Sequence, residues 1–258
     1  MKKRCCSAVL FLAILISPFL VAQAAQTGAT ATVEQILARV DEALTKVADT
    51  EYTGAIKVVQ NQKVTKTIEF KVQLKGITMK RVQFTAPGDI RGMQMLTTED
   101  GLMYVYLPSY NRVRRVAAHV ANQGFMGTDL TPDDMSAASY SNGWYAKLTG
   151  EDKENWYLSL TPKLLKTGYY KIKLTVLKKY GAVSKIEFLD VLGKTVKVQE
   201  RERWKQFGEG ANQVTIPTLF TIDNVKTGSR TIMELLDCKV NTGIPASAFT
   251  KRAILRAD

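Results

Sequence analysis

The feature that most limits what this chain can become is a period of two that runs through most of its length. In TIEFKVQLKG, Ile68, Phe70, Val72 and Leu74 fall on one face, and Glu69, Lys71, Gln73 and Lys75 fall on the other. Successive side chains of a strand point to opposite sides, so the alternation predicts a strand with a single apolar face. The same rhythm returns in YKIKLTVLKK, VSKIEFLD, KTVKVQER and TLFTIDNV, with Gly, Asn, Asp or Pro between the segments. Strands of a parallel α/β sheet are buried on both faces and lose this alternation. The expected fold class is therefore mainly β (α+β), a single antiparallel sheet curved about one core. Lysines between Lys163 and Lys205 alternate with apolar residues and are expected on the wet face of that sheet.

Two segments depart from the rhythm. TVEQILARVDEALTKV places Val33, Ile36, Leu37, Val40, Leu44 and Val47 at helical spacing, with Thr32 and Gln35 as a capping box. An amphipathic helix at this point can cover the concave side of the sheet. Residues 117–143 lack alternation and contain Gly124, Gly127, Pro132 and Gly143. A short helix is predicted there, with Thr131 as cap, Pro132 in its first turn, and Asp133 and Asp134 near its positive end. Long irregular insertions in compact domains are often lids or binding loops.

Lys2, Lys3 and Arg4 precede an apolar run from Ala8 to Val21 and the small-residue sequence Ala22-Gln23-Ala24. This predicts a secretory signal peptide over residues 1–24, and one domain over residues 25–258. The run is short for a membrane-spanning helix. Cleavage would remove three positive charges, taking the formal charge from +12 to +9, and would leave Cys238 alone among three cysteines. One thiol forms no internal disulfide, and a chain of 258 less 24 residues can bury a full core without one. Within IMELLDCKV, Cys238 is expected to act as a small buried hydrophobe. On an exported chain the basic balance points to anionic lipid head groups or acidic partners rather than nucleic acid. Aromatic residues are not interleaved with the basic ones as on a stacking platform for single strands.

Signals for chemistry are sparse. His119 is the one histidine, and there is no G-x-S-x-G elbow. Asp129, Asp133, Ser109, Ser136, Ser139 and Ser141 lie near His119 in the chain, which leaves a lipid-cleaving enzyme as an alternative. TDLTPDD offers carboxylates without the spacing of a calcium loop, and one His with one mature Cys supplies no structural zinc site. Phosphate-cradling glycine motifs are missing, so no cofactor and no metal is expected. Pliable side chains are abundant: Met79, Met93, Met95, Met103, Met126 and Met135 suit a pocket that accepts acyl chains of varying shape. A curved open sheet leaves an interior to be filled by side chains, a helix or a ligand.

Four blocks, VQFTAPGDIRGMQML, GLMYVYLPSYNRVRRV, GFMGTDLTPDDM and IPASAFTKRAIL, resemble in order and spacing the outer-membrane lipoprotein-sorting protein family, relatives of the LolA and LolB carriers. Matching positions are Phe84, Pro87, Gly92, Leu96, Tyr106, Pro108, Arg112, Arg115, Phe125, Met126, Gly127, Asp129, Asp133 and Asp134. The resemblance implies an unclosed β-barrel whose mouth is capped by helices over an apolar cavity. It implies a periplasmic, non-enzymatic carrier of a lipid or lipoprotein acyl chain, loaded by an inner-membrane exporter complex and unloaded at an outer-membrane acceptor. Cavity or lid candidates are then Phe70, Val72, Leu74, Met93, Met95, Leu96, Tyr104, Tyr106, Phe125 and Met126. Arg112, Arg114 and Arg115 are expected to clamp a lid by pairing with Asp129, Asp133 or Asp134. Gly92 is expected to let a strand turn or bulge, and Pro108 to end a strand over 104–107. The alternatives are a lipid-hydrolysing, phospholipase-like enzyme using His119 or a cation held by the aspartates, and a ligand-free envelope scaffold with a filled core.

Overall fold

The structure, a computed structural model, describes residues 31–116, 125–131, 139–164 and 169–255, with Phe125 and Ala211 described by their backbone alone. The expected signal peptide lies outside the described residues. Thirteen antiparallel strands form one sheet. They are β1 (Asp49–Gln60), β2 (Lys63–Lys75), β3 (Met79–Ala86), β4 (Gln94–Thr97), β5 (Met103–Leu107) and β6 (Arg112–Arg115) in the first half. The second half holds β7 (Trp144–Glu151), β8 (Asn155–Pro162), β9 (Lys171–Leu177), β10 (Ala182–Leu189), β11 (Thr195–Phe207), β12 (Val214–Asn224) and β13 (Arg230–Val240). Each strand lies beside its sequence neighbour, except that β1 pairs with β13 and that β6 and β7 are the two edges. The sheet is thus unclosed, as the resemblance implied. Between β1 and β2, Asn61 and Gln62 both have positive φ, 48° and 62°, the primed turn geometry whose twist matches that of the flanking strands.

Pairing the first strand with the last needs a fastening at their shared end, and Asp49 supplies it. Its Oδ1 accepts hydrogen bonds from Thr242 N (2.7 Å) and Thr242 Oγ1 (3.0 Å), and its Oδ2 accepts from Gly243 N (3.0 Å) and Ile244 N (3.2 Å). Burial alone would raise the pKa of this carboxyl, but the bonds from Thr242, Gly243 and Ile244 together hold it below the ordinary value. Asp49→Asn puts an amide against backbone donors and is expected to cost about 2 kcal/mol, read as a lower urea midpoint. Because the folded pKa is depressed, the contribution is complete above the unfolded value of about 3.9 and is lost as pH falls through the folded one. The gap between wild type and variant should therefore close below about pH 4. Equal midpoints at neutral pH would show that Asp49 fastens nothing.

The helix α1 (Val33–Thr45) forms with its predicted capping box: Thr32 Oγ1 accepts from Gln35 N at 3.3 Å, and Gln35 Oε1 accepts from Thr32 N at 2.9 Å. Its buried Ile36, Leu37 and Val40 pack with Leu158, Leu160, Ile172, Leu174, Val176, Val183, Ile186 and Phe188, on the inner face of β8–β10. Asp41 of α1 also holds a short helix, α2 (Tyr140–Gly143), accepting from Ser139 Oγ (2.6 Å), Tyr140 N (3.0 Å) and Ser141 Oγ. A second inner cluster gathers Ile56, Ile68, Phe70, Val72, Phe84, Met93, Met95, Leu130 and Ile222.

A third cluster lies on the opposite face. Leu96, Tyr104, Tyr106 and Val113 pack with Ile244, Phe249 and Ile254 from the C-terminal segment, which ends in α3 (Lys251–Leu255). Gln94 is fully buried there, its Nε2 donating to Ile254 O at 3.1 Å and its Oε1 accepting from Arg81 Nε at 2.9 Å. Gly92 does sit in the turn between β3 and β4 at φ 81°, and Pro108 ends β5 by opening a 3-10 turn. Cys238 is half-buried rather than fully buried, and burial, followed by the charge of Asp237, pushes its thiol pKa up to about 11.

Candidate functional site

A cavity of about 680 Å³ lies between α1 and the inner face of the sheet. Phe70, Val72, Leu74, Val82, Phe84 and Met95 form one wall, and Phe220, Met233 and Leu235 continue it across β12 and β13. Val40, Ala43, Leu44 and Val47, the later turns of the apolar stripe on α1 and the residue just beyond, face them. The stripe is longer than the core it covers on β8–β10, so its C-terminal part lines a space instead of filling one.

The two ends of the cavity differ. At the end where β1 and β2 meet in their hairpin, Thr128 and Leu130 line it, and both are buried. They belong to residues 125–131, a strap across the strand ends. Lys66 Nζ on β2 donates to Met126 O at 2.9 Å. On the far side, Asp129 Oδ1 accepts from Asn224 Nδ2 (2.9 Å) and Ser229 Oγ (2.8 Å), and Oδ2 accepts from Thr231 Oγ1 (2.9 Å). The Asp129 N–H in turn donates to Thr231 Oγ1 at 2.9 Å. At the other end the lining includes the exposed Lys46, Gly76, Lys179 and Gln213, which makes it the mouth. Trp204 stacks there on Tyr180, with ring centroids 5.4 Å apart.

Of the candidates from the sequence, Phe70, Val72, Leu74 and Met95 line this cavity. Met93 belongs to the same inner cluster, and Met126 packs against it from the strap. Leu96, Tyr104 and Tyr106 do not line it. The period that turns Met95, Met103 and Val105 inward turns these three outward, onto the C-terminal segment. For Phe125 the side chain lies outside the described residues, as do Asp133, Asp134 and His119.

The arginine clamp needs correction at Asp129. Arg112, Arg114 and Arg115 are exposed on the edge strand β6, and among the described residues none of them pairs with Asp129. Neutral donors of the β12–β13 hairpin hold the carboxylate instead.

A second correction concerns β11. Lys197, expected on the wet face with the other lysines, is only 5% exposed, and Gln199 two residues along is 7% exposed. The Lys197 ammonium sits 4.4 Å from the centroid of Phe188 and 4.7 Å from that of Tyr169, an aromatic setting that favours a cation. Gln199 and Arg201 line the cavity, so β11 turns a polar column toward an interior whose walls on β2, β3, β12 and β13 are largely apolar. Lys80, on β3, also lines it, and burial pushes its pKa down to about 8.

Among known proteins, a family model described as an uncharacterized protein matches residues 76–256. Comparison with curated proteins gives no match. Among solved structures, a DUF1329 family protein from Desulfovibrio piger is similar at 21% identity and a TM-score of 0.77, covering 86% of this chain and 97% of that one. An outer membrane lipoprotein-sorting protein domain, so assigned in Vibrio parahaemolyticus, is similar at 20% identity and a TM-score of 0.75, with 86% and 96% covered. A LolA superfamily protein from Nitrosomonas europaea is similar at 21% identity and a TM-score of 0.69, with 86% and 99% covered. At such identities the structural likeness concerns the fold, and it is the family model that carries membership. With that model spanning most of the chain, the chain belongs to the family it describes, and its unclosed thirteen-stranded sheet is a fold it shares with the LolA superfamily protein.

Proposed function

We propose that this protein is a periplasmic carrier that shelters an acyl chain of a lipid or lipoprotein in its cavity and moves it from inner-membrane machinery to an outer-membrane acceptor. The observation that carries the reading is a cavity of about 680 Å³ with apolar walls, strapped at one end and open at the other. That size falls within the range of about 300–1,000 Å³ usual for small-molecule sites. Each buried methylene contributes ~0.8 kcal/mol, so about twelve of them would supply on the order of 10 kcal/mol before the cost of immobilising the chain. The Vibrio parahaemolyticus domain with the same fold is assigned to lipoprotein sorting, which agrees with such a cargo. The activity is non-enzymatic. Direction comes from the partners, since a carrier only equilibrates cargo between sites of different affinity.

The test is native mass spectrometry of the protein purified from its own envelope, with extraction and identification of anything bound. An intact acyl-bearing molecule at one per chain is expected, and cleaved products would point to hydrolysis instead. The control is Ala43→Trp, which places an indole in the cavity from α1. It should weaken binding of a fluorescent fatty acid by at least about tenfold with little change in thermal unfolding, because the added volume enters empty space. Unchanged binding in that variant would remove the cavity from the account.

A further inference from the structure

We infer that the cavity selects acyl lipids bearing an anionic group, a carboxylate or a phosphate, and that Arg201 on β11 receives that group inside the cavity. The inference rests on the carrier reading and names the class of cargo within it.

The first observation is an imbalance of charge in the lining. Arg39, Lys46, Lys80, Lys178, Lys179 and Arg201 are basic, against Glu42 and Asp49. Asp49 is already committed to Thr242, Gly243 and Ile244, and Lys178 to Glu151 at 2.6 Å. A concave, low-dielectric space lined by one sign of charge concentrates field and draws in the opposite sign.

The second observation is independent of that balance. Arg201 Nε is buried and has no hydrogen-bond partner among the described residues. Buried polar groups are nearly always paired, and a guanidinium donor left without an acceptor is costly enough to call for an explanation. The cavity it lines offers one, because a carboxylate or phosphate oxygen is the natural acceptor for the planar fork of an arginine. Neighbouring positions suit the placement. Gln199, two residues along the same face, adds an amide, and Phe220, paired with Arg201 across β11 and β12, leaves apolar wall beside it for the hydrocarbon. Lys80 on another strand adds a second cation to the same space, and its burial means that an anion entering the cavity would favour its charged form.

The experiment compares the delipidated full-length mature protein with Arg201→Gln and Arg201→Lys, using three probes. These are oleate, oleyl alcohol as its neutral counterpart, and vesicles of phosphatidylglycerol from which lipid extraction is measured. Wild type is expected to bind oleate or extract phosphatidylglycerol at least about tenfold better than it binds oleyl alcohol. Arg201→Gln should lose most of that preference while keeping its affinity for oleyl alcohol, and Arg201→Lys should restore part of it. Preference for oleate alone identifies a carboxylate cargo, and preference for phosphatidylglycerol alone a phosphate one. Equal binding of charged and neutral probes by wild type would overturn the anionic preference and leave the carrier standing. Binding of none of the three would overturn both. Should Arg201→Gln fail to fold, a preference unchanged in Arg201→Lys and also in Lys80→Gln would overturn the assignment.

Discussion

Asp129→Ala is expected to release the strap over residues 125–131 and to raise amide exchange there about a hundredfold. The carboxylate collects three side-chain donors, from Asn224, Ser229 and Thr231, all within 2.9 Å. Hydrogen bonds to a charged acceptor are worth roughly 1.5–3 kcal/mol each, and Thr231 is fully buried, so water cannot readily replace what it loses. Ser229 Oγ keeps a partner in Thr227 Oγ1 at 2.7 Å, which limits the loss. A net local cost of about 3 kcal/mol corresponds to the stated hundredfold, at about 1.4 kcal/mol per factor of ten. The signal to follow is the Asp129 amide, which donates to Thr231 Oγ1, together with that of Leu130, which donates to Thr128 Oγ1. A change of less than about threefold would mean that Leu130 in the core, not the carboxylate, holds the strap. Lipid exchange rates in the same variant separate two roles. A strap that opens for cargo should speed exchange when loosened, whereas one that only seals the cavity should lower affinity instead.

The partners of Asp129 lie about 95–102 residues away in the chain, which is why sequence reasoning looked to the arginines nearby. Local spacing could say that a cluster of charge sat beside an irregular segment; it could not say which distant hairpin the fold would bring beneath it. Alternation was a far better guide where one face of a strand is wet. It placed Phe70, Val72 and Leu74 in the cavity wall and fixed the fold class. On β4 and β5 it failed to discriminate, because QML and MYVYL are apolar at every position but Gln94, and both faces are covered. The inner face meets the cavity cluster and the outer one the C-terminal segment, so Met95 and Leu96 look alike in the sequence and face opposite ways. Along KTVKVQER the pattern misled for another reason. The register slips between Phe188 and Leu189, which pair with Lys197 and Thr195, and leaves Val196 as an extra residue. A one-residue bulge exchanges the faces of the residues beyond it, and it turned Lys197, Gln199 and Arg201 to the interior. The unusual chemistry of this cavity is thus concentrated where the simple period breaks.

Gly54→Ala is the second large expected effect, and it tests how the cavity wall is set. A Cβ at Gly54 would lie 2.7 Å from Glu234 O and 2.8 Å from Phe70 Cζ. The first belongs to the β13 backbone at a register shift in the β1–β13 ladder, and the second to a ring that is 3% exposed, packed edge-on to Tyr52 at 6.3 Å. Neither is the loose end of a flexible side chain, so one methyl group must displace a strand or a core aromatic. Overpacking of this kind costs typically 1–3 kcal/mol and sometimes more. With both neighbours rigid we expect about 3 kcal/mol, a fall in Tm of roughly 6–12 °C for a domain of this size. Glycine within a strand marks a close approach, and here what approaches is the ring that forms one wall of the cavity. Moving that ring should also reshape the site, so fatty-acid affinity is expected to fall along with stability. Phe70→Leu supplies the decisive arm. Made in wild type it removes core volume and should destabilise. Made in Gly54→Ala it relieves the clash, so the double variant should be more stable than the sum of the single effects predicts, by about 1 kcal/mol or more. Simple additivity would place the obstruction at the β13 carbonyl rather than at the ring, and the cavity wall would then owe its position to packing from β2 and β3 alone.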